Sequence, residues 1–560
     1  MDTPEKLLEQ ILQSKINLIK EKCTPEDAIY TLIEIIRSLD YNTFMLSHDD
    51  NPNKRQQLIH DRYRYGWALP FILLYENLNV EEVPIFPSTK ETAFWVDSLI
   101  QHAGSLQLCR MLIDFKKANL ANLEKLNQST FAFTYFYNSS EYYEKLSLEH
   151  YHGLIAKQLE SVSKRVMEKL LKMRKELESV VNPIGDFISY HATDEMDNFY
   201  SEFANVYMLT RHTVDEYGMT DRFGGYEYKD YLEIAEYIFK CGIMHRDCCM
   251  ALAEKTSHKT WLRNILTYGF SLAGFITSIS EDLEWQAEKV KVILSCFTLT
   301  KENYLYHINY PKASPPPYIQ VSHDMYIRSS YGCLDRPIFF LNKELQRKFP
   351  KDVSNARNNR EIRFKNELYG LFNQERILKV QQNIKVKLDG INTATDIDAV
   401  LFDKEKNVIA LFQLKWHATF YTSMKERRSR ITNFISESTD WINKVEKWIE
   451  RNDSKTILNN CTINLKSATI EKVYLFVIAR SHANFTNQNF DERATWASWY
   501  QIIEAVSNVQ DETDENPIES FKSKVDFYSP ASRAQRGEVL NNQGYEFTFD
   551  EYKIIVNSKS

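Results

Sequence analysis

The alternation of apolar and polar positions divides the chain into two regimes. Over residues 1–300 apolar residues recur at helical spacing, broken by short polar or proline-containing stretches, which predicts a mainly helical region. Thr24-Pro25-Glu26-Asp27 combines a capping residue, a proline suited to the first helical position and acids for the first turn. A helix is therefore expected through Ala28–Leu39. Pro70 should kink or break any helix in Tyr63–Leu78, and another capped helix should begin near Ser88 or Thr89. The longest helical signal runs from Ser140 to Val181, with Leu146, Leu154, Val162, Val166 and Leu170 in an irregular stripe. A bundle helix is expected there, with a dimer interface as the alternative. The uncharged run between Arg263 and Glu281 is short and contains Asn264, Thr267, Ser271 and Thr277, so it reads as a buried helix and not a membrane span.

Pro311-Lys312-Ala313-Ser314-Pro315-Pro316-Pro317 forbids helix and favours an extended connector. The expected organisation is a helical domain over residues 1–310, a proline-rich linker and connecting segment over 311–355, and a further domain over 356–560. Tyr318–Arg328 suits a short strand and Leu341–Phe349 a short helix. Beyond these the period changes. Phe364–Leu368 lies on a helical pattern and Ile377–Leu388 on a strand pattern. Asp396-Ile397-Asp398 enters the apolar run Ala399–Phe402; Asp403–Asn407 is charged, as a hairpin turn requires; Val408–Trp416 is then almost wholly apolar. An amphipathic helix over Arg428–Arg451, a central buried strand over Ile470–Ala479, a helix over Trp496–Val506 and closing strands at Tyr545–Phe549 and Tyr552–Val556 follow. Asp221–Tyr226 reads as a loop.

Two residues interrupt the Val408–Trp416 strand: Gln413 and Lys415, two apart and so on one face. Polar residues at the end of a buried strand cost free energy unless something uses them. Asp398 on the adjacent strand supplies the use. A carboxylate, an amide oxygen and the intervening backbone carbonyl are hard donors for Mg²⁺, and Lys415 is placed to orient water and stabilise negative charge. Lys425, Arg427, Arg428 and Arg430 form the densest basic cluster, at the start of a helix where positive charge opposes the helix dipole. If the domain cleaves nucleic acid, contact with backbone phosphates is the expected use; a solvated helix start is the alternative.

Asp398 followed by Gln413-Leu414-Lys415, in the order helix, three strands, helix, strand, resembles the core of the PD-(D/E)XK, or restriction-endonuclease-like, nuclease superfamily. There an Asp on one strand precedes Glu-x-Lys or Gln-x-Lys on the next. The Gln form resembles the Mrr-like and related DNA-cleaving branches. The resemblance covers the last third of the chain. It implies a multidomain α+β and α/β fold, with a restriction-endonuclease-like αβββαβ core behind a large helical region. It also implies Mg²⁺-dependent phosphodiester hydrolysis, with Mn²⁺ able to substitute. Asp398 and Gln413 would hold the metal with help from Asp396; Lys415 would be catalytic; Glu367, ahead of Glu375, best matches the family's helix glutamate. Gln in place of Glu removes one negative charge, so cation affinity falls unless another carboxylate assists. A DNA endonuclease is the expected activity, in an architecture that resembles bacterial anti-phage and restriction effectors. An RNase on the same core, an inactive nuclease fold that binds nucleic acid, and a helical scaffold with an incidental α/β tail are the alternatives. The helical region would bind substrate, a partner protein or a second copy of the chain.

Charge agrees with nucleic acid meeting the C-terminal part: the chain carries a net −7, yet residues 355–560 hold 29 Lys+Arg against 28 Asp+Glu. The 8 cysteines are scattered with no Cys-x-x-Cys pair, which argues against zinc fingers and for reduced thiols in a cytoplasmic protein. Met1–Lys6 lacks the basic-then-apolar order of a signal peptide, and no membrane association is expected. No Gly-Lys-Ser or Gly-Lys-Thr loop supports an ATPase. His245-Arg246-Asp247 lacks the other kinase motifs, and the His191/Glu195 pair lacks a third metal ligand.

Overall fold

The computed structural model describes residues 3–24, 28–47, 53–78, 85–135, 140–211, 216–309, 313–389, 392–416, 424–465, 469–486, 488–507, 515–537 and 544–558. It is a mixed α/β protein in which helices predominate. Pro25–Asp27, the expected helix start, lie outside the described residues; the helix Ala28–Ser47 follows them.

Helices Pro4–Lys22, Ala28–Ser47, Lys54–Gly66, Ala68–Asn77 and α1 (Lys90–Lys117) pack around one apolar core. The Thr89 side chain caps α1 by accepting from Thr92 N at 3.1 Å. Pro70 stands in the first turn of its helix, where its missing N–H costs nothing, and the break falls earlier, at Trp67. Helices Lys54–Gly66 and α1 cross with their backbones touching: a Cβ on Gly104 would lie 2.1 Å from the Arg62 carbonyl oxygen. Strands β1 (Ala121–Lys125) and β2 (Thr130–Tyr135) form a hairpin. The long helical signal resolves into two helices, α2 (Ser140–Gln158) and Glu160–Val180, separated at Leu159. Asp221–Tyr226 is a tight β-hairpin and not an irregular loop: Arg222–Phe223 pairs with Tyr226–Glu227 about Gly224 and Gly225, both at positive φ. The uncharged run after Arg263 is not one buried helix. It divides into strand Tyr268–Ser271 and helix Leu272–Asp282.

The proline stretch is not an exposed spacer. Ala313 and Pro315–Pro317 are buried, and they lead into strand Tyr318–Gln320. That strand joins Met325–Arg328, Tyr268–Ser271 and Thr298–Leu299 in a four-stranded sheet of the helical region. Prolines have no N–H to leave unsatisfied, so an extended run of them can be buried cheaply. The Pro316 carbonyl sits against Gly332, where a Cβ would approach to 2.1 Å.

The α/β part begins with helix α3 (Pro350–Gly370). It continues through β3 (Ile377–Val380), β4 (Ile384–Lys387), β5 (Thr393–Ile397), β6 (Ala399–Asp403), β7 (Val408–Lys415), helix α4 (Met424–Arg451), β8 (Lys472–Ala479), β9 (Ala494–Ser498) and helix α5 (Trp499–Ser507). The Ile377–Leu388 pattern is thus two strands, and Trp496–Val506 is shared between a strand and a helix. Five strands form one sheet in the order β3-β6-β7-β8-β9, with β3, β6 and β7 antiparallel and β8 and β9 parallel to β7. Alternation along β7 fills both sides. Ile409 and Leu411 meet Trp441, Val445 and Trp448 of α4; Ala410, Phe412 and Leu414 meet Phe364 and Leu368 of α3 and Ile502 of α5.

The last two strands, β10 (Tyr545–Phe549) and β11 (Tyr552–Ser558), do not close this sheet. β11 runs parallel to β2 in a separate sheet ordered β1-β2-β11-β10. Phe547, Phe549, Ile554 and Val556 thereby enter the helical core beside Phe131 and Phe133. The last two strands are thus built into the core of the helical region. Among the described residues no helix is long and apolar enough to cross a membrane.

Candidate active site

Asp398 occupies the single-residue gap between β5 and β6. Its N–H donates to the Phe412 carbonyl at 3.0 Å, which keeps it in register with β7. Its carboxylate turns to the end of β7, where Oδ2 accepts from Leu414 N at 2.7 Å and from Gln413 Nε2 at 2.6 Å. Oδ1 accepts no hydrogen bond among the described residues. The residue is 5% exposed. Burial, with repulsion from Asp396 and Glu361, pushes its carboxyl up to about 7, although the Leu414 N–H and Lys415 draw it back.

Asp398, Gln413 and Lys415 line one cleft of about 500 Å³, together with Asp396 and Trp416. Arg357, Asn358, Arg360 and Glu361 of α3 form one wall, and Arg430 of α4 stands on another side. Lys415 Nζ lies 3.2 Å from Glu437 Oε2 of α4. The Lys415 carbonyl accepts from Arg480 N at 2.9 Å. Asp396 has an exposed side chain, and its carbonyl accepts from Trp441 Nε1 at 2.7 Å, which ties β5 to α4.

Glu367 stands elsewhere. It does not line the cleft; its carboxylate binds the Arg480 guanidinium, and burial pushes its carboxyl up to about 7. Glu361 is the α3 carboxylate that reaches the cleft. Helical phase carried only part of the signal. Arg357 and Glu361 continue the stripe of the core residues Phe364 and Leu368 towards the start of α3, and Glu367 stands off it, but the side from which the sheet end approaches was needed to choose between the two carboxylates.

The basic cluster is divided. Arg430 lines the cleft and pairs with Glu426. Arg428 Nη1 donates across to the Lys117 carbonyl of α1 at 3.2 Å. Arg427 is half-buried, and the Lys425 side chain lies outside the described residues. Arg357 and Arg360 were not legible as cleft residues. Arg360 is buried against Glu216 of the helical region and lies over the Tyr217 ring at 5.1 Å. Trp416 gathers further guanidinium groups, with Arg363 and Arg480 each 4.7 Å from its ring centre.

Among the described residues no three His, Cys, Asp or Glu side chains are grouped to hold a metal ion by themselves. The donor set around Asp398 nonetheless suits a hard cation. A buried carboxylate leaves one oxygen without a partner among the described residues, two more carboxylates crowd it electrostatically, and Gln413 carries an amide oxygen. Gln413 presents its nitrogen to Asp398, so sharing a cation between them requires the amide to be turned over. The other titratable groups singled out are structural or separate. His245 is buried in helix Tyr228–Lys255, with its ring nitrogens on Tyr190 Oη (3.0 Å) and the Ile265 carbonyl (2.8 Å), and burial pushes its pKa down to about 3. His191 precedes the helix that begins at Asp194, so it is not one helical turn from Glu195. Neither a family model, a curated protein nor a solved structure matches the chain at a significant level.

Proposed function

We propose that the α/β part carries a divalent-metal-dependent nuclease site of the PD-(D/E)XK type, which hydrolyses phosphodiester bonds of DNA. One observation carries the reading: Asp398, Gln413 and Lys415 converge at the end of two antiparallel strands, in a cleft walled by Arg357 and Arg430. Asp398 and the Gln413 oxygen would hold Mg²⁺ or Mn²⁺, with Asp396 and Glu361 supplying the negative charge that Gln413 lacks. When bound, such a cation acidifies its water and neutralises oxygens of the scissile phosphate. The chain's own groups do the rest. Lys415 leaves Glu437, whose side chain is 61% exposed, so the ion pair it gives up is weak. Its ammonium then orients the attacking water and meets the charge that develops on the phosphate. Arg357 and Arg430 position the substrate through neighbouring phosphates. By analogy of architecture, a helical region that governs a nuclease suits anti-phage or restriction defence.

The test is cleavage of closed-circular and linear DNA with Mg²⁺ or Mn²⁺, parent protein against Lys415→Ala. Metal-dependent cleavage that falls at least about a hundredfold in the variant is expected, the loss typical of removing one transition-state donor. Equal cleavage by both proteins refutes the assignment of Lys415. Cutting of the circle establishes internal attack, and RNA as substrate in the same assay separates a ribonuclease from a deoxyribonuclease.

A further inference from the structure

The helical region touches the first turns of α4, and the basic cluster makes the junction. Arg430 faces the cleft while Arg428, two residues earlier and so on nearly the opposite side of α4, reaches the C-terminus of α1. There Lys116 and Lys117 close the last turn of a 28-residue helix. Positive charge at the end of α1 complements its dipole; at the start of α4 it opposes the dipole, so the dipole gives the arginines no reason to be there, and Arg430 is held instead by Glu426, one turn earlier. Lys117 is paired only at the surface, with Glu9, the two side chains being 47% and 43% exposed. Such a pair is weak and can be exchanged for a phosphate. A basic seam thus runs from the cleft, over the start of α4, onto the helical region of a chain whose net charge is −7.

We infer that Lys116 and Lys117 of the helical region bind the backbone of the DNA strand that leaves the cleft, so that both parts of the chain grip one substrate. The inference rests on the nuclease reading and gives the helical region a direct part in it. Crossing the breadth of a helix with its side chains is a path of roughly 10–12 Å. At about 3.4 Å of rise per nucleotide, the lysines meet a phosphate at least about three removed from the scissile one. The interaction is with phosphate, so it adds affinity without sequence preference.

The experiment measures binding of a fluorescently labelled 20-base-pair DNA duplex to the full chain in the non-cleaving Lys415→Ala background, over a range of salt concentrations. Lys116→Glu/Lys117→Glu should weaken binding at least tenfold near 0.1 M salt. It should also reduce the steepness of log K against log salt by about two, close to one for each phosphate that is no longer neutralised. Arg428→Gln, which alters the same seam from the other side, should move both quantities in the same direction, and it decides the matter if the double variant misfolds. Unchanged affinity and slope in these variants, while Arg430→Ala weakens binding, overturns the inference and leaves the nuclease cleft standing. Absence of DNA binding by the parent at low salt overturns both.

Discussion

Replacing Asp398 by Asn should make the protein more stable at alkaline pH. The Asp398 carboxyl is carried from its ordinary 3.8 to about 7, first by burial and then by Asp396 and Glu361. The folded protein therefore keeps this proton until about pH 7, while the unfolded chain loses it near pH 4. Stability falls as pH rises between those values and stays lowered above them. The full loss corresponds to about 4 kcal/mol, at about 1.4 kcal/mol for each pH unit. Asn keeps an oxygen for the Leu414 N–H and Gln413 Nε2 and never acquires the buried charge. In urea denaturation with a chelator present, Asp398→Asn should exceed the parent by up to about 4 kcal/mol at pH 8, with a gap of about 1.5 kcal/mol at pH 5. Mg²⁺ should then stabilise the parent at pH 8 much more than the Asn variant, because only the parent has a buried charge at position 398 for it to neutralise. A gap of the same size at both pH values, or an Asn variant less stable at pH 8, refutes the claim that Asp398 is held against its charged form.

Two further substitutions probe how the parts of the chain are joined. Glu144 of α2 accepts from Ala483 N, Asn484 N and Asn484 Nδ2 after β8, at 2.9, 2.8 and 3.0 Å, in a buried setting. Glu144→Ala leaves those donors without an acceptor and should cost about 3 kcal/mol in denaturant unfolding; a loss below about 1 kcal/mol would show that water replaces the carboxylate. Gly104→Ala puts a Cβ 2.1 Å from the Arg62 carbonyl oxygen, an overlap of backbone that no rotamer relieves. It should lower stability by about 3 kcal/mol and be seen as a drop in melting temperature; an unchanged melting temperature would show that the two helices separate freely.

Local signals were legible where local chemistry decides the outcome. The Thr89 cap, the Asp403–Asn407 turn and the period-two pattern of β7 each depend on a few consecutive residues. Chain breaks that depend on packing were harder to place. Neither glycine nor proline stands at Leu159 to mark the point where a long amphipathic signal becomes two helices. Asp221–Tyr226 was legible only as a loop, and its hairpin packs against the start of α3: a Cβ on Gly224 would lie 2.5 Å from the ring of Phe349, the residue before that helix.

The sequence by itself determined that β6 and β7 form a hairpin and that Gln413 and Lys415 share a face, because turn chemistry and side-chain alternation are properties of a short segment. Tertiary structure alone decided which carboxylate of α3 faces that end of the sheet, since Glu361 and Glu367 are equally plausible until the sheet end is placed against the helix. It also decided that Pro315–Pro317 are buried and that β11 pairs with β2 and not with the sheet beside it. An apolar strand carries no record of its partner. Its pairing is chosen by which core has room for Ile554 and Val556, and the residues that make that room, Phe131 and Phe133, lie more than 400 residues earlier in the chain.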